Sequence, residues 1–187
     1  MATFYEGNPI LTFSFTVEEA EYASAYLFKQ QYRSFFHRKE WKGGLCVTAA
    51  VCFAAMIPSF QVRYGSFWFP AAAMCFCFLM GAYFFFLQPE GLRKFGAEIY
   101  RSNLFLRGTH TVSVYRDSMV YKTEREVFSQ YWTDFDRCIE TEDQILLIGG
   151  VRDLMILKKD GISGEQQKQL SAHFASAFAS RYRVVKR

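Results

Sequence analysis

The sequence predicts an α+β fold: a two-helix transmembrane hairpin, then a β-meander closed by a C-terminal helix. Three observations predict it. Two long blocks, Gly43 to Val62 (20 residues) and Tyr64 to Pro89 (26 residues), carry no charge, although Asp, Glu, Lys and Arg make up 21% of the chain. After Gly108 come short β-branched or aromatic runs separated by turn residues. A last amphipathic stretch opens after Gly161-Ile162-Ser163.

Composition narrows the class further. The chain has 187 residues, is 51% apolar and 19% aromatic, and includes 21 Phe, which excludes collagen-like, disordered and disulfide-scaffold proteins. Of its cysteines, Cys46, Cys52, Cys75 and Cys77 lie inside the charge-free blocks and only Cys138 outside them. In such surroundings Cys behaves as a small apolar residue, so no disulfide framework is expected. Cys75-Phe76-Cys77 has no second ligand pair at zinc spacing, and His37, His110 and His173 are scattered, so neither a metal nor a cofactor is expected.

Ile10 to Thr16 alternates apolar and polar residues, the period of a half-buried strand, with Asn8-Pro9 before it. Thr16 and Glu19 form a capping-box pattern, with Glu18 and Glu21 near the first turn. A helix is expected from Val17 to Lys42, with Tyr22, Ala25, Tyr26, Lys29, Tyr32, Arg33 and Phe36 on one packing stripe. Each charge-free block is long enough to span the roughly 30 Å hydrocarbon core at about 1.5 Å per residue. Pro58 is expected to end or kink the first span, and Gly65-Ser66 to turn the chain into the second. Cys46, Ala50 and Ala54 recur every four residues, as do Ala73, Cys77 and Gly81. Small residues so spaced let two helices approach closely in lipid.

Glu90 to Leu106 reads as a basic helical linker. The expected strands are Thr109 to Tyr115, Met119 to Thr123, Val127 to Trp132, Phe135 to Glu140, Ile145 to Ile148 and Leu154 to Leu157. Ser163 and Gln166 form the cap of the last helix, which turns Leu170, Phe174, Ala177 and Phe178 to one side. The organisation is therefore a strand and helix over 1–42 that belong to the cytoplasmic domain, the hairpin over 43–89, a linker over 90–107 and the rest of the domain over 108–187. The N-terminal strand is expected to complete the sheet of that domain.

Orientation follows from basic residues, which are retained on the cytoplasmic side. Arg33, Arg38, Lys39 and Lys42 precede the first span and Arg93, Lys94, Arg101 and Arg107 follow the second, while the turn offers only Arg63. Both termini are thus expected in the cytoplasm, with Trp41, Lys42, Arg93 and Lys94 at the inner membrane interface and Trp68 at the outer one. No cleaved signal peptide or lipidation site is expected, because Met1 to Phe15 lacks a basic start, Ala2 is not Gly, and the last residues include no Cys.

The order of these elements, with Tyr131-Trp132-Thr133-Asp134-Phe135, Ile145-Leu146-Leu147-Ile148 and Met155-Ile156-Leu157-Lys158-Lys159, resembles the YcxB-like family of bacterial membrane proteins over most of the chain. Leu157 stands where relatives tend to carry proline before the lysine. The resemblance implies a cytoplasmic domain of pleckstrin-homology-like (PH-like) fold and brings no reaction or catalytic residues.

Catalysis and transport find no residues here. The charge-free blocks lack the ionisable groups an ion path needs at membrane depth. No nucleophilic triad order, phosphate-cradling Gly-rich loop or HExxH helix occurs. Asp134 with Asp136, and Glu140 with Glu142 and Asp143, read as solvated carboxylates of turns. The net charge of +4 is too dispersed for a nucleic-acid face. The expectation is a non-enzymatic inner-membrane protein that binds membrane lipid, an unidentified protein partner or its own copies. The alternative is an immunity protein that intercepts a membrane-targeting toxin. Trp132, with Arg181, Arg183, Lys186 and Arg187, is the candidate contact to lipid or partner.

Overall fold

A computed structural model describes residues 8–32 and 39–185. The chain divides into two compact units, one holding residues up to Ala25 and from Ala97 onward, the other Tyr26–Gly96.

Among the described residues the first unit is built on eight strands. β1 (Leu11–Thr16) buries Leu11, Phe13 and Phe15 and exposes the residues between them, as its alternation requires. It pairs antiparallel with β2 (Thr109–Val114), joining residues nearly a hundred positions apart. On the outer face Thr12 Oγ1 donates to Ser113 Oγ at 3.0 Å, and the Ser14 and Thr111 hydroxyls lie 2.8 Å apart. β3 (Ser118–Lys122) and β4 (Val127–Tyr131) complete an antiparallel sheet in the order β1-β2-β3-β4. A 3-10 turn, Trp132–Asp134, then carries the chain into a second sheet. That sheet holds β5 (Phe135–Glu140), β6 (Gln144–Gly149), β7 (Leu154–Lys158) and β8 (Tyr182–Val184), in the order β7-β6-β5-β8.

Two features of this unit differ from the sequence reading. The meander forms two four-stranded sheets instead of one, because the 3-10 turn breaks the ladder between β4 and β5. The basic tail, for which no strand was expected, contains β8, which pairs parallel with β5. A three-residue strand is too short to announce itself by periodicity. α5 (Gly164–Phe178) covers the second sheet, with Leu170, Phe174 and Phe178 buried beneath it. Its cap is the expected one: Ser163 Oγ accepts from the Gln166 N–H and Gln166 Oε1 from the Ser163 N–H.

α1 (Glu19–Tyr32) is shorter than the helix expected over 17–42, and α2 (Lys39–Tyr64) is a separate helix. Arg33, Phe36 and Arg38 lie outside the described residues. The α1 cap also differs. Thr16 remains in β1, and Glu21 accepts from the Glu18 N–H at 2.8 Å, placing the cap two residues later.

In the second unit α2 continues through Pro58 to Tyr64, so the proline does not end it. Proline removes one backbone bond, a loss that neighbouring groups offset in membrane helices. α3 (Trp68–Ala82) runs through a π-helical turn, Tyr83–Leu87, into α4 (Gln88–Ser102). Pro89 sits inside this continuous helical stretch, just past the π-helical turn, and such local π adjustments accommodate a proline's missing N–H in apolar helices; the helical path extends beyond the charge-free block. α2 and the continuous stretch Trp68–Ser102 are each long and apolar enough to cross a membrane.

Candidate functional site

A row of rings drawn from all four strands crosses the inner face of the first sheet: Phe15, His110, Tyr121 and Phe128. Phe15 faces His110 and Tyr121 faces Phe128 in register, so the row follows directly from strand pairing. Successive centroids are 5.7, 5.4 and 5.4 Å apart. Phe105, from the 3-10 turn after α4, lies 5.7 Å from both Tyr121 and Phe128. The Arg152 guanidinium stacks 4.0 Å above Phe105 and pairs with Glu126.

Between this row and β7 is a cavity of about 40 Å³, lined in part by Tyr22, Asn103, His110, Tyr121 and Arg152. His110 Nε2 lies 3.2 Å from the Leu106 carbonyl, which places its proton there. Nδ1 is buried and meets no hydrogen-bond partner among the described residues. Burial holds the imidazole below its ordinary range, against the Leu106 bond, and pushes the Tyr121 phenol up. The cleft thus offers one neutral acceptor in an aromatic wall. Composition gave no signal for it, since His110 reads as an isolated residue until β1 is paired with β2.

A second, larger groove of about 530 Å³ lies over the 3-10 turn and α5, lined by Arg116, Asp117, Tyr131, Thr133, His173 and Ser176, with Trp132 as its floor. Trp132 is only 3% exposed. Its Nε1 donates to the Tyr115 and Arg116 carbonyls, and its ring meets Phe174 edge-on at 5.1 Å. It packs as a core anchor at the floor of the groove. Burial lowers the pKa of His173 beside it, opposed by a bond with the Tyr115 backbone and by Asp117.

Glu140 also departs from its reading as a solvated turn charge, while Glu142 and Asp143 are exposed. Its Oε1 accepts from Lys159 Nζ and from Ser171 Oγ, both at 2.6 Å, and its Oε2 accepts from the Tyr182 hydroxyl. Lys159 Nζ donates again to the Thr141 carbonyl at 2.7 Å. Burial pushes the Glu140 carboxyl up, and the bonds from Lys159, Ser171 and Tyr182 outweigh it, so its pKa falls below the ordinary value. The network joins β5, β8, α5 and the end of β7 and leaves no lone group for chemistry.

Of the basic tail, Arg181 is occupied: its Nη1 donates to the Phe135 carbonyl at 2.6 Å and its guanidinium lies over Phe178. Arg183 is exposed on β8. Lys186 and Arg187 lie outside the described residues.

In the helical unit α2 and α3 pack antiparallel. Phe60 stacks on Phe69 near the turn, and Gly81 faces Cys46 and Val47 toward the other end. A Cβ on Gly81 would sit 3.6 Å from Val47 Cγ2, and one on Gly43 would strike the Phe85 ring. Ala50 and Gly81 are buried, and Cys46, Ala54, Ala73 and Cys77 are half-buried. Trp41, Trp68, Arg93 and Lys94 are exposed, and the Lys42 ammonium lies 5.5 Å over the Phe84 ring.

Residues 114–174 match the family described as YcxB-like protein. This segment is similar to that family. The match begins at the last residue of β2 and ends within α5, so it takes in Trp132, Glu140 and Lys159 but neither β1 nor the apolar helices, less of the chain than the motif order implied. No curated protein and no solved structure matches the chain. The YcxB-like segment and the two apolar helices together mark a membrane-associated protein.

Proposed function

We propose that this is a non-enzymatic protein of the bacterial inner membrane, anchored by α2 and α3 with both termini cytoplasmic. Its β unit serves as a PH-like module that binds a protein or lipid headgroups. The observation that carries this reading is the apolar surface of the hairpin. Val62, Trp68, Phe76, Leu79 and Phe86 are all more than 60% exposed, far more contiguous apolar surface than a water-soluble protein leaves uncovered. Lys42, Arg93 and Lys94 against the single Arg63 support the orientation. The groove lined by Arg116, Tyr131, His173 and Ser176 is the surface best suited to a partner, being concave, polar at its rim and rigidly backed by Trp132.

The test is photocrosslinking in native membranes from a photoreactive residue at position 131 or 176, after an alkaline carbonate wash. The chain should stay in the membrane and give one discrete adduct, to a protein or to lipid. Release by carbonate refutes the anchoring, and absence of adducts from both positions refutes the groove as the binding surface.

A further inference from the structure

We propose that the helical unit binds the phosphate of one glycerophospholipid in a cleft where α1, α2 and α4 meet; this rests on the reading of α2 and α3 as membrane-spanning. The cleft has a volume of about 70 Å³, room for a group of a few heavy atoms. Gln30 and Gln31 of α1, Lys42 of α2 and Gln88 of α4 supply its polar lining, and Leu27 and Leu92 its apolar part.

Its depth is set by two independent boundaries. Lys42 is the last charge before the first charge-free block, and Gln88 is the last polar side chain before the second block ends at Pro89. Because α2 and α3 are antiparallel, both boundaries fall at the same end of the hairpin. A cleft at that level opens where lipid phosphates lie.

The donor set fits a phosphate diester. An ammonium carries three N–H donors and each carboxamide two, whereas the two free oxygens of the diester only accept. Among the described residues no carboxylate lines the cleft. Among the described residues Lys42 has no carboxylate within ion-pair range, and its neighbour is the face of Phe84. Gln30 spends one N–H on the Tyr26 hydroxyl at 3.2 Å and keeps the other. A long stem with its charge turned to the interface is the usual posture of lysine at a membrane boundary.

The test is native mass spectrometry of the full chain in mild detergent, titrated with phosphatidylglycerol, with diacylglycerol of the same acyl chains, and with phosphatidylglycerol in competition with inorganic phosphate. The wild type should retain one phosphatidylglycerol and no diacylglycerol, and millimolar inorganic phosphate should not displace the lipid. Lys42→Gln should weaken retention about fivefold, the value of one lysine near an anionic group. Lys42→Arg should keep it, Gln88→Leu should weaken it, and Arg93→Gln should leave it unchanged. Equal loss in Lys42→Gln and Arg93→Gln would mean diffuse attraction and overturn the site. Displacement by inorganic phosphate would overturn the lipid as its occupant. A chain that remains membrane-integral yet retains no phosphatidylglycerol overturns this site alone, whereas a chain soluble without detergent overturns the anchoring beneath it.

Discussion

Replacing Lys159 by Met removes the cation from a network in which every atom is occupied. Glu140 would keep the Ser171 and Tyr182 bonds, but its charge would remain buried, with a side chain 9% exposed. Breaking a buried ion pair from one side costs about 3–5 kcal/mol, mostly the penalty of the charge left behind. In a unit of this size that lowers the thermal midpoint by on the order of 10 °C.

The pH dependence follows from the direction of the shift. The folded pKa of Glu140 lies below its ordinary value of 4.5. The stability it contributes is therefore present above that value and is lost as pH falls through the folded pKa. In Lys159→Met the strongest opposing bond is gone, burial raises the carboxyl, and the gap between variant and wild type should narrow as pH falls below about 5. Thermal unfolding in mild detergent, followed by the fluorescence of Trp132 in a variant whose other two tryptophans are Phe, measures both effects. A Lys159→Met loss within 0.5 kcal/mol of zero, or a gap that widens toward low pH, would refute the reasoning; ~0.5 kcal/mol is what unremarkable surface changes produce.

Other outcomes follow from the same geometry. Gly81→Ala should leave the hairpin intact, since its methyl makes an ordinary contact with Val47, while Gly81→Leu should cost roughly 1–3 kcal/mol by overpacking; unfolding in detergent separates them. The folded pKa of His110 lies below 6.5, so its contribution is lost as pH falls below that value, and His110→Phe should remove its share of the slope in urea titrations. Gly150→Ala should destabilise, because its φ is +73° and its methyl would meet the Gln130 amide; the same titrations would show it. Gln130→Met should be neutral or stabilising, because both amide atoms are buried with no hydrogen-bond partner among the described residues. Deleting residues 11–16 should expose the β2 edge and cause aggregation, seen by light scattering.

What the sequence reveals of this fold depends on the range of the interaction involved. The charge-free blocks, the alternation of Leu11 to Thr16 and the Ser163–Gln166 cap are local patterns, and each recurs in the structure near its expected place. Glu140 reads as a turn residue because its cation is nineteen positions away and its phenol forty-two, in elements that only the folded chain brings near. β8 is invisible for the same reason: Tyr182 and Val184 become a strand only where β5 offers an open edge. The aromatic row needs the pairing of Phe15 with His110 across the hairpin. The burial of Trp132 rests on Phe174, forty-two positions away, which meets its ring edge-on only in the folded chain. The π-helical turn at Tyr83–Leu87 has no signature in an unbroken apolar run.

The most direct test of the account is the topology of the hairpin. Reporters active only in the cytoplasm, and others active only outside it, would be fused at each terminus and inserted at Gly65, the turn beside Arg63. The account predicts cytoplasmic signals at both ends and an extracytoplasmic signal at Gly65, because the basic residues flank the outer ends of an even number of spans. An extracytoplasmic signal at either terminus, or a cytoplasmic one at Gly65, would contradict it.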